Sequence, residues 1–294
     1  RGSVFGFHRA MDHAGAVCGP LVAAVFLSFS PGDYRTLFAL TIVPGIIVIL
    51  ILLRVPDTRR QTASDGARDS ALGAHDTSHS AAPAEGERRT PSVGAPAFSQ
   101  LPSSFYRAMA VILLFSLGNA SDAFLLLRFA DVGIAAFWIP LLWSAIHIVK
   151  SVSSLMGGRW SDTLGRRLVI GLGWLVYAAV YAAFAVTESA PVLVAMFLIY
   201  GFYFGLTEGV EKAWVADVAP VSAQGTAFGV YNALLGAGSL AASLLFGFIW
   251  TRVSPPAAFF TGAAFALGAT ALLYLMFSTT AAGAEGDTRN TRAD

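Results

Sequence analysis

The chain of 294 residues is 55% hydrophobic and 13% charged, with a mean hydropathy of +0.64. A soluble domain carries about 25% charge, so this balance excludes a disordered chain and points to a membrane protein. The single cysteine, Cys18, excludes a disulfide-stapled module and a cysteine metal cluster, and the net charge of +1 gives no overall field for nucleic acid.

Eight apolar stretches are long enough to cross a bilayer, whose ~30 Å hydrocarbon core needs about 20 helical residues. In chain order they cover 7–29, 34–53, 105–127, 133–156, 168–187, 191–213, 226–250 and 257–277. Hydrocarbon cannot bond exposed backbone groups, so helices are expected. The runs are too long and too uniformly apolar for the alternation of a β-barrel. Ser30-Pro31-Gly32-Asp33, Glu188-Ser189-Ala190-Pro191 and Ser254-Pro255-Pro256 punctuate them as turns.

Residues 55–104 differ in kind. Their large apolar residues are Val55, Leu72, Val93, Phe98 and Leu101, too few to offset the chain entropy of 50 positions. The segment reads as a disordered cytoplasmic linker between helices in 1–54 and six helices in 105–278. Residues 279–294 read as an unstructured cytoplasmic tail. With the linker inside, fifteen of the 19 Lys and Arg residues fall on the cytoplasmic side. Only Arg35, Arg128 and Arg252 fall opposite, and Lys150 lies within a span. This bias predicts a multi-pass protein of the plasma (inner) membrane with both chain ends cytoplasmic.

An internal repeat runs at an offset of 223 residues. Gly2, Phe5, Gly6, Ala10, Ala14 and Gly15 match Gly225, Phe228, Gly229, Ala233, Ala237 and Gly238. Small residues at this spacing let helices pack closely in lipid, and repeated halves are a common plan of secondary transporters. Four helices stand between the linker and the second copy, and none precedes the first. The repeat therefore predicts an N-terminally truncated fragment that lacks four spans.

After the fourth stretch stands Gly157-Gly158-Arg159-Trp160-Ser161-Asp162-Thr163-Leu164-Gly165-Arg166-Arg167. Asp162 can accept from a helix N-terminus, and Gly165 supplies a turn. Read blandly, this is a short basic loop at the inner face. Its Gly-x-x-x-Asp-x-x-Gly-Arg-Arg spacing is more specific and resembles the signature loop of the major facilitator superfamily, in its second-half copy. Trp160-Ser161 is a mild departure from that pattern. The resemblance implies an all-α membrane protein with the major facilitator fold. The eight transmembrane helices present would be the last two of the N-terminal bundle plus the six-helix C-terminal bundle. It also implies that Gly158, Asp162, Gly165, Arg166 and Arg167 form a gating loop.

Polar residues about 3.5 apart share a helix face. The third span carries Ser116, Asn119 and Asp122; the fourth carries Ser144, His147, Ser151 and Ser154, with Lys150 beside His147. The sixth carries Tyr200, Tyr203, Thr207 and Glu211, and the seventh carries Gln224, Tyr231, Asn232 and Ser239. The resemblance implies that these four spans, the first, second, fourth and fifth of the six-helix bundle, line its cavity. A charge at bilayer mid-depth costs ~2.5–3.5 kcal/mol on insertion scales, so charges in these spans call for partners or a function. The candidate substrate and proton pathway is Asn119, Asp122, His147, Lys150, Tyr203, Glu208, Tyr231 and Asn232. Blander readings stand beside it. Glu208 and Lys212 have the spacing of a structural i,i+4 pair, Lys150 could snorkel, and His147 could be a packed neutral histidine. In the first span His8 with Asp12 and Arg9 with His13 are i,i+4 pairs suited to a gate.

No Gly-x-x-x-x-Gly-Lys-Ser/Thr phosphate loop and no serine nucleophile elbow occur. His75 and His79 fall in the linker, so neither a metal site nor any other cofactor is predicted. The expected function is a secondary active transporter, not an enzyme, that moves a small solute by alternating access. Protons are the candidate coupling ion and the lipid bilayer the surroundings. The alternative is a non-transporting polytopic receptor or intramembrane enzyme. It would need a compact catalytic cluster or a large signalling domain, and neither is visible. Tyr200, Phe202, Tyr203, Phe204 and Trp214 suit an apolar or amphiphilic solute, while drug efflux and metabolite uptake both remain open.

Overall fold

A Leu-, Val- and Ala-rich run in hydrocarbon has only its own backbone to bond to, and the computed structural model is helical to match. It describes residues 1–54, 100–135 and 137–290. Among them are ten α-helices: α1 Gly2–Phe29, α2 Tyr34–Leu40, α3 Ile42–Leu52, α4 Ser103–Ser116, α5 Ala123–Asp131, α6 Trp138–Leu164, α7 Arg166–Val186, α8 Ala190–Val218, α9 Gln224–Arg252 and α10 Pro255–Asn290. No strand occurs among the described residues. Nearly all of the predicted linker, residues 55–99, lies outside them.

Seven spans are long and apolar enough to cross a membrane, with α2 and α3 counted together over Tyr34–Leu52. The remaining predicted span, 105–127, is divided. Helix α4 stops after 14 residues, and α5 starts at Ala123. The sequence between them, Leu117-Gly118-Asn119-Ala120-Ser121-Asp122, is rich in residues that bond their own backbone or leave the helix. The apolarity that continues into α5 conceals this break. At the other end α10 continues to Asn290, beyond the predicted end of the last span at Phe277.

The chain divides into two compact units, Arg1–Val25 with Ala95–Asp294, and Phe26–Gly94. In the smaller unit Gly32 adopts φ +83°, and Asp33 caps α2 by accepting from the Thr36 amide at 3.2 Å. Neither α2 nor α3 buries a residue.

In the larger unit, α7 and α8 supply most of the buried aromatic layer. Phe115 stacks on Trp174 at 4.8 Å between ring centroids, and Tyr177 stacks on Tyr181 at 4.0 Å. Helices α6 and α8 touch at their backbones. A methyl group on Gly157 would collide with the Gly205 carbonyl, and one on Gly205 with Ser153. Ser153 Oγ also donates across this contact to the Gly201 carbonyl at 3.2 Å. Small residues draw these helices close enough for backbone and side-chain contacts to replace the missing hydrophobic drive in lipid. Gly165, at φ +93°, is the only residue between α6 and α7. A left-handed backbone costs glycine nothing, which lets the chain reverse in one step.

Candidate functional site

The break between α4 and α5 frees backbone groups that hydrocarbon would leave bare, each at a cost of several kcal/mol. They are met by side chains. Tyr177 Oη donates to the Gly118 carbonyl at 2.7 Å, the Ser121 amide donates to Ser243 Oγ at 3.1 Å, and the Ala123 amide donates to Ser121 Oγ at 3.3 Å. The break turns Asn119 and Asp122 inward.

Asn119 lines a cavity of about 200 Å3 with Tyr203, Glu208, Tyr231 and Asn232. Its Nδ2 donates to Tyr203 Oη at 3.1 Å. Phe115, Phe204 and Leu235 supply apolar wall, and Arg9, Glu211 and Lys212 supply charge. Five of the eight predicted pathway residues therefore meet in one hollow. The other three do not line it. Buried Lys150 forms an ion pair with the partly buried Asp122 at 3.5 Å, and Tyr200 Oη donates to Asp122 Oδ1 at 2.8 Å. The Lys150 amine also lies 3.3 Å from the centroid of the Phe204 ring, within cation–π range. Lys150 thus has internal partners and does not snorkel.

The stripe on α6 has a different role from the expected one. It faces α1. Ser144 Oγ donates to the Val17 carbonyl at 3.2 Å, and Ser151 Oγ donates to the Ala10 carbonyl at 2.8 Å. His147 Nδ1 lies 3.2 Å from His13 Nδ1. The opposing stripe on α1 is Gly2, Gly6, Ala10, His13 and Val17. A methyl group on Gly6 would meet the Ser154 carbonyl at 2.5 Å and the Gly158 Cα at 3.1 Å. As residue numbers rise along α1 they fall along α6, so the two helices pack antiparallel from Gly2 to Val17.

Glu208 does not pair with Lys212. It takes His13 Nε2 at 3.1 Å and Arg9 Nε at 3.6 Å, because those groups on α1 are within reach and a partner across helices needs no bend in α8. The predicted His8–Asp12 pair forms at 3.4 Å, while Arg9 turns from His13 to Asp12, at 3.2 Å, and to Glu208. Among the aromatics, Tyr203 and Phe204 line the cavity, Phe202 is exposed and Trp214 lines a separate groove of about 520 Å3. That groove sits beside Gly165, Arg166 and Arg167, between Leu168, Tyr274 and Phe277.

Two buried groups escaped the predicted pathway. Glu211 accepts from Tyr231 Oη at 3.1 Å and from Trp174 Nε1 at 3.3 Å. His13 is a bridge from α1 to both α6 and α8. Its signal was its place on the small-residue stripe, where a polar ring must find a partner on the facing helix.

The predicted gating residues gather at the ends of α1 and α6. Asp162 accepts from the amides of Gly2 at 3.0 Å and Ser3 at 2.8 Å, from Ser3 Oγ at 2.6 Å and from Arg166 Nη1 at 2.6 Å. A carboxylate at a helix N-terminus meets both the bare amides and the positive end of the dipole. Arg166 Nε reaches Asp217 at 3.0 Å, and Arg1 Nη1 reaches the same carboxylate at 3.3 Å. Gly158 permits the close approach to Gly2 and Gly6, whereas Arg167 stands apart and donates to the Phe277 carbonyl at 2.7 Å.

The sequence profile of the Major Facilitator Superfamily matches residues 123–293, more than half of the chain. The chain belongs to the major facilitator superfamily. It is thus a multi-pass membrane protein of a transporter family, not of an enzyme family. An uncharacterized MFS-type transporter of Methanocaldococcus jannaschii is 27% identical over 272 residues, covering 90% of this superfamily member and 62% of the relative. Probable polyol transporter 4 of Arabidopsis thaliana is 30% identical over 123 residues, 42% of this chain and 23% of that one. The quinolone resistance protein NorA of Staphylococcus aureus (strain MRSA252) is 27% identical over 119 residues, 40% of this chain and 31% of that one. The chain spans less than two thirds of the length of these relatives.

Proposed function

We propose that the protein carries a small solute across the plasma (inner) membrane by alternating access, with both chain ends cytoplasmic. One observation carries this reading: a membrane helix broken at 117–122 delivers Asn119 to a polar cavity inside apolar helices. Broken helices mark substrate sites in many transporters, because irregular backbone is tolerated at depth where protein or a cavity surrounds it.

In this reading Asn119, Tyr203, Tyr231 and Asn232 offer hydrogen bonds to the solute, and Phe115 and Phe204 offer apolar surface. Asp122, His147, Lys150 and Glu208 form a charged network around the cavity that can hold or pass protons. The contact of α1 with α6, tied by Asp162 and Arg166 at Gly158 and Gly165, is the gate that opens and closes. The names of the relatives suggest quinolones and polyols as first probes.

The test is a thermal-shift screen of the purified full-length protein with those two compound classes, followed by proteoliposome flux under an imposed pH gradient. A bound solute that is transported supports the reading. Asp122→Asn and Glu208→Gln are expected to keep solute binding and to abolish accumulation against a gradient. Binding without flux in the unaltered protein would overturn it.

A further inference from the structure

His13 is held between two helices by its two ring nitrogens. Nδ1 faces His147 Nδ1 of α6 at 3.2 Å, and Nε2 faces Glu208 Oε2 of α8 at 3.1 Å. The side chain is about 10% exposed, so water is a poor substitute for either partner.

Proton counting limits this arrangement. A carboxylate only accepts, so His13 Nε2 carries a hydrogen toward ionised Glu208. Two nitrogens at hydrogen-bond distance need one hydrogen between them. Both contacts hold at two protonation levels, with no added proton and with one. In the first both rings are neutral, and His147 Nδ1–H donates to bare His13 Nδ1. In the second His13 has gained a proton on Nδ1 and donates to His147 Nδ1, whose own hydrogen now sits on Nε2. A second added proton makes both Nδ1 atoms donors with no acceptor between them, on two cationic rings. The contact cannot hold in that state.

The surroundings set the balance. On α1, Arg9 lies 3.6 Å from Glu208 and is shared with Asp12. On α6, Lys150 is paired with Asp122 at 3.5 Å. On α8, Glu208 is the carboxylate that faces His13, and Glu211 and Lys212 lie farther along the same helix. The rings of Trp143 and Phe204 close the sides, at 5.6 Å from His147 and 6.5 Å from His13.

We propose that the His13–His147 contact is a proton-binding site shared by α1 and α6, which holds one added proton while the helices touch and parts them when it takes a second. The proposal deepens the carrier reading, on which its role in transport rests: it makes an imidazole pair, set apart from the cavity, the group that couples protonation to the gate.

The test is a distance measurement. Spin labels are placed at Met11→Cys on α1 and Val152→Cys on α6, both exposed, in a Cys18→Ser background, with the chain in lipid nanodiscs. Double electron–electron resonance is recorded from about pH 8 down to about pH 4, the range that spans histidine titration. The expected result is a short distance at high pH and a second, longer population that grows as pH falls. His147→Gln and, independently, His13→Gln keep a hydrogen-bonding amide that does not titrate, and each is expected to abolish the longer population. An unchanged distance in the unaltered pair would overturn the proposal, as would lengthening that persists in both glutamine variants. A pH response in a protein without flux refutes the carrier reading and leaves this site standing; flux with unresponsive distances does the reverse.

Discussion

Phe5 and Phe228 face each other with ring centroids 6.2 Å apart. They occupy the same position in the two copies of the Gly-x-x-Phe-Gly repeat, at the N-terminal ends of α1 and α9. The repeat therefore meets itself in space, yet its two copies have different neighbours. Gly6 is pressed against α6, while its counterpart Gly229 has no atom of the described residues within 4 Å of an added methyl group.

That difference gives a paired prediction. Gly6→Ala forces the backbone of α6 away and is expected to cost about 1–3 kcal/mol by overpacking. Gly229→Ala meets open space and should gain up to about 1 kcal/mol from helix propensity. Thermal unfolding of the two purified variants is expected to shift in opposite directions.

Asp162 gathers four donors at the end of the α1–α6 contact. Asp162→Asn keeps the shape but removes the charge from the helix terminus and from Arg166. Partial exposure of the pair limits the expected loss to about 1 kcal/mol. Hydrogen exchange should show it as faster exchange in the first turn of α1, with little change in α8.

Lys150 is buried against the partly buried Asp122, so removing one charge strands the other. Lys150→Met and Asp122→Asn should each cost about 3 kcal/mol, and the double variant less than the sum of the two. A double-mutant cycle on thermal stability measures the coupling, and strict additivity would contradict the pairing.

Glu211 is held by Tyr231 and Trp174 rather than by a cation. Glu211→Ala leaves two buried donors without an acceptor and should cost about 2 kcal/mol. Glu211→Gln keeps an acceptor for Trp174 and can donate to Tyr231, so it is expected to fold nearly as well as the native protein. Equal losses in both variants would mean that the charge itself holds the site.

Apolar length made the spans legible in the sequence, and the spacing around Asp162 and Gly165 made the family legible. The break at 117–122 was not, because Leu117 and Ala120 keep the local hydropathy high while Gly118, Asn119 and Ser121 end the helix. Tyr203, Thr207 and Glu211 share the cavity because three-and-four spacing places them on one face of α8, whereas Asn119 reaches it through the break. The α6 stripe misled because spacing fixes a face but not what it faces: serine hydroxyls that could line water instead bond the carbonyls of α1. Likewise Glu208 had a partner four residues along α8, but partners on another helix were closer in space.

A solute is expected to cross through the cavity beside Asn119 by exchange between two openings. Counterflow in proteoliposomes measures this directly: vesicles loaded with unlabelled solute are diluted into a trace of labelled solute. A transient, saturable accumulation of label that is lost in Asn119→Ala is expected. Label entry that is linear in concentration and indifferent to solute on the far side would contradict it.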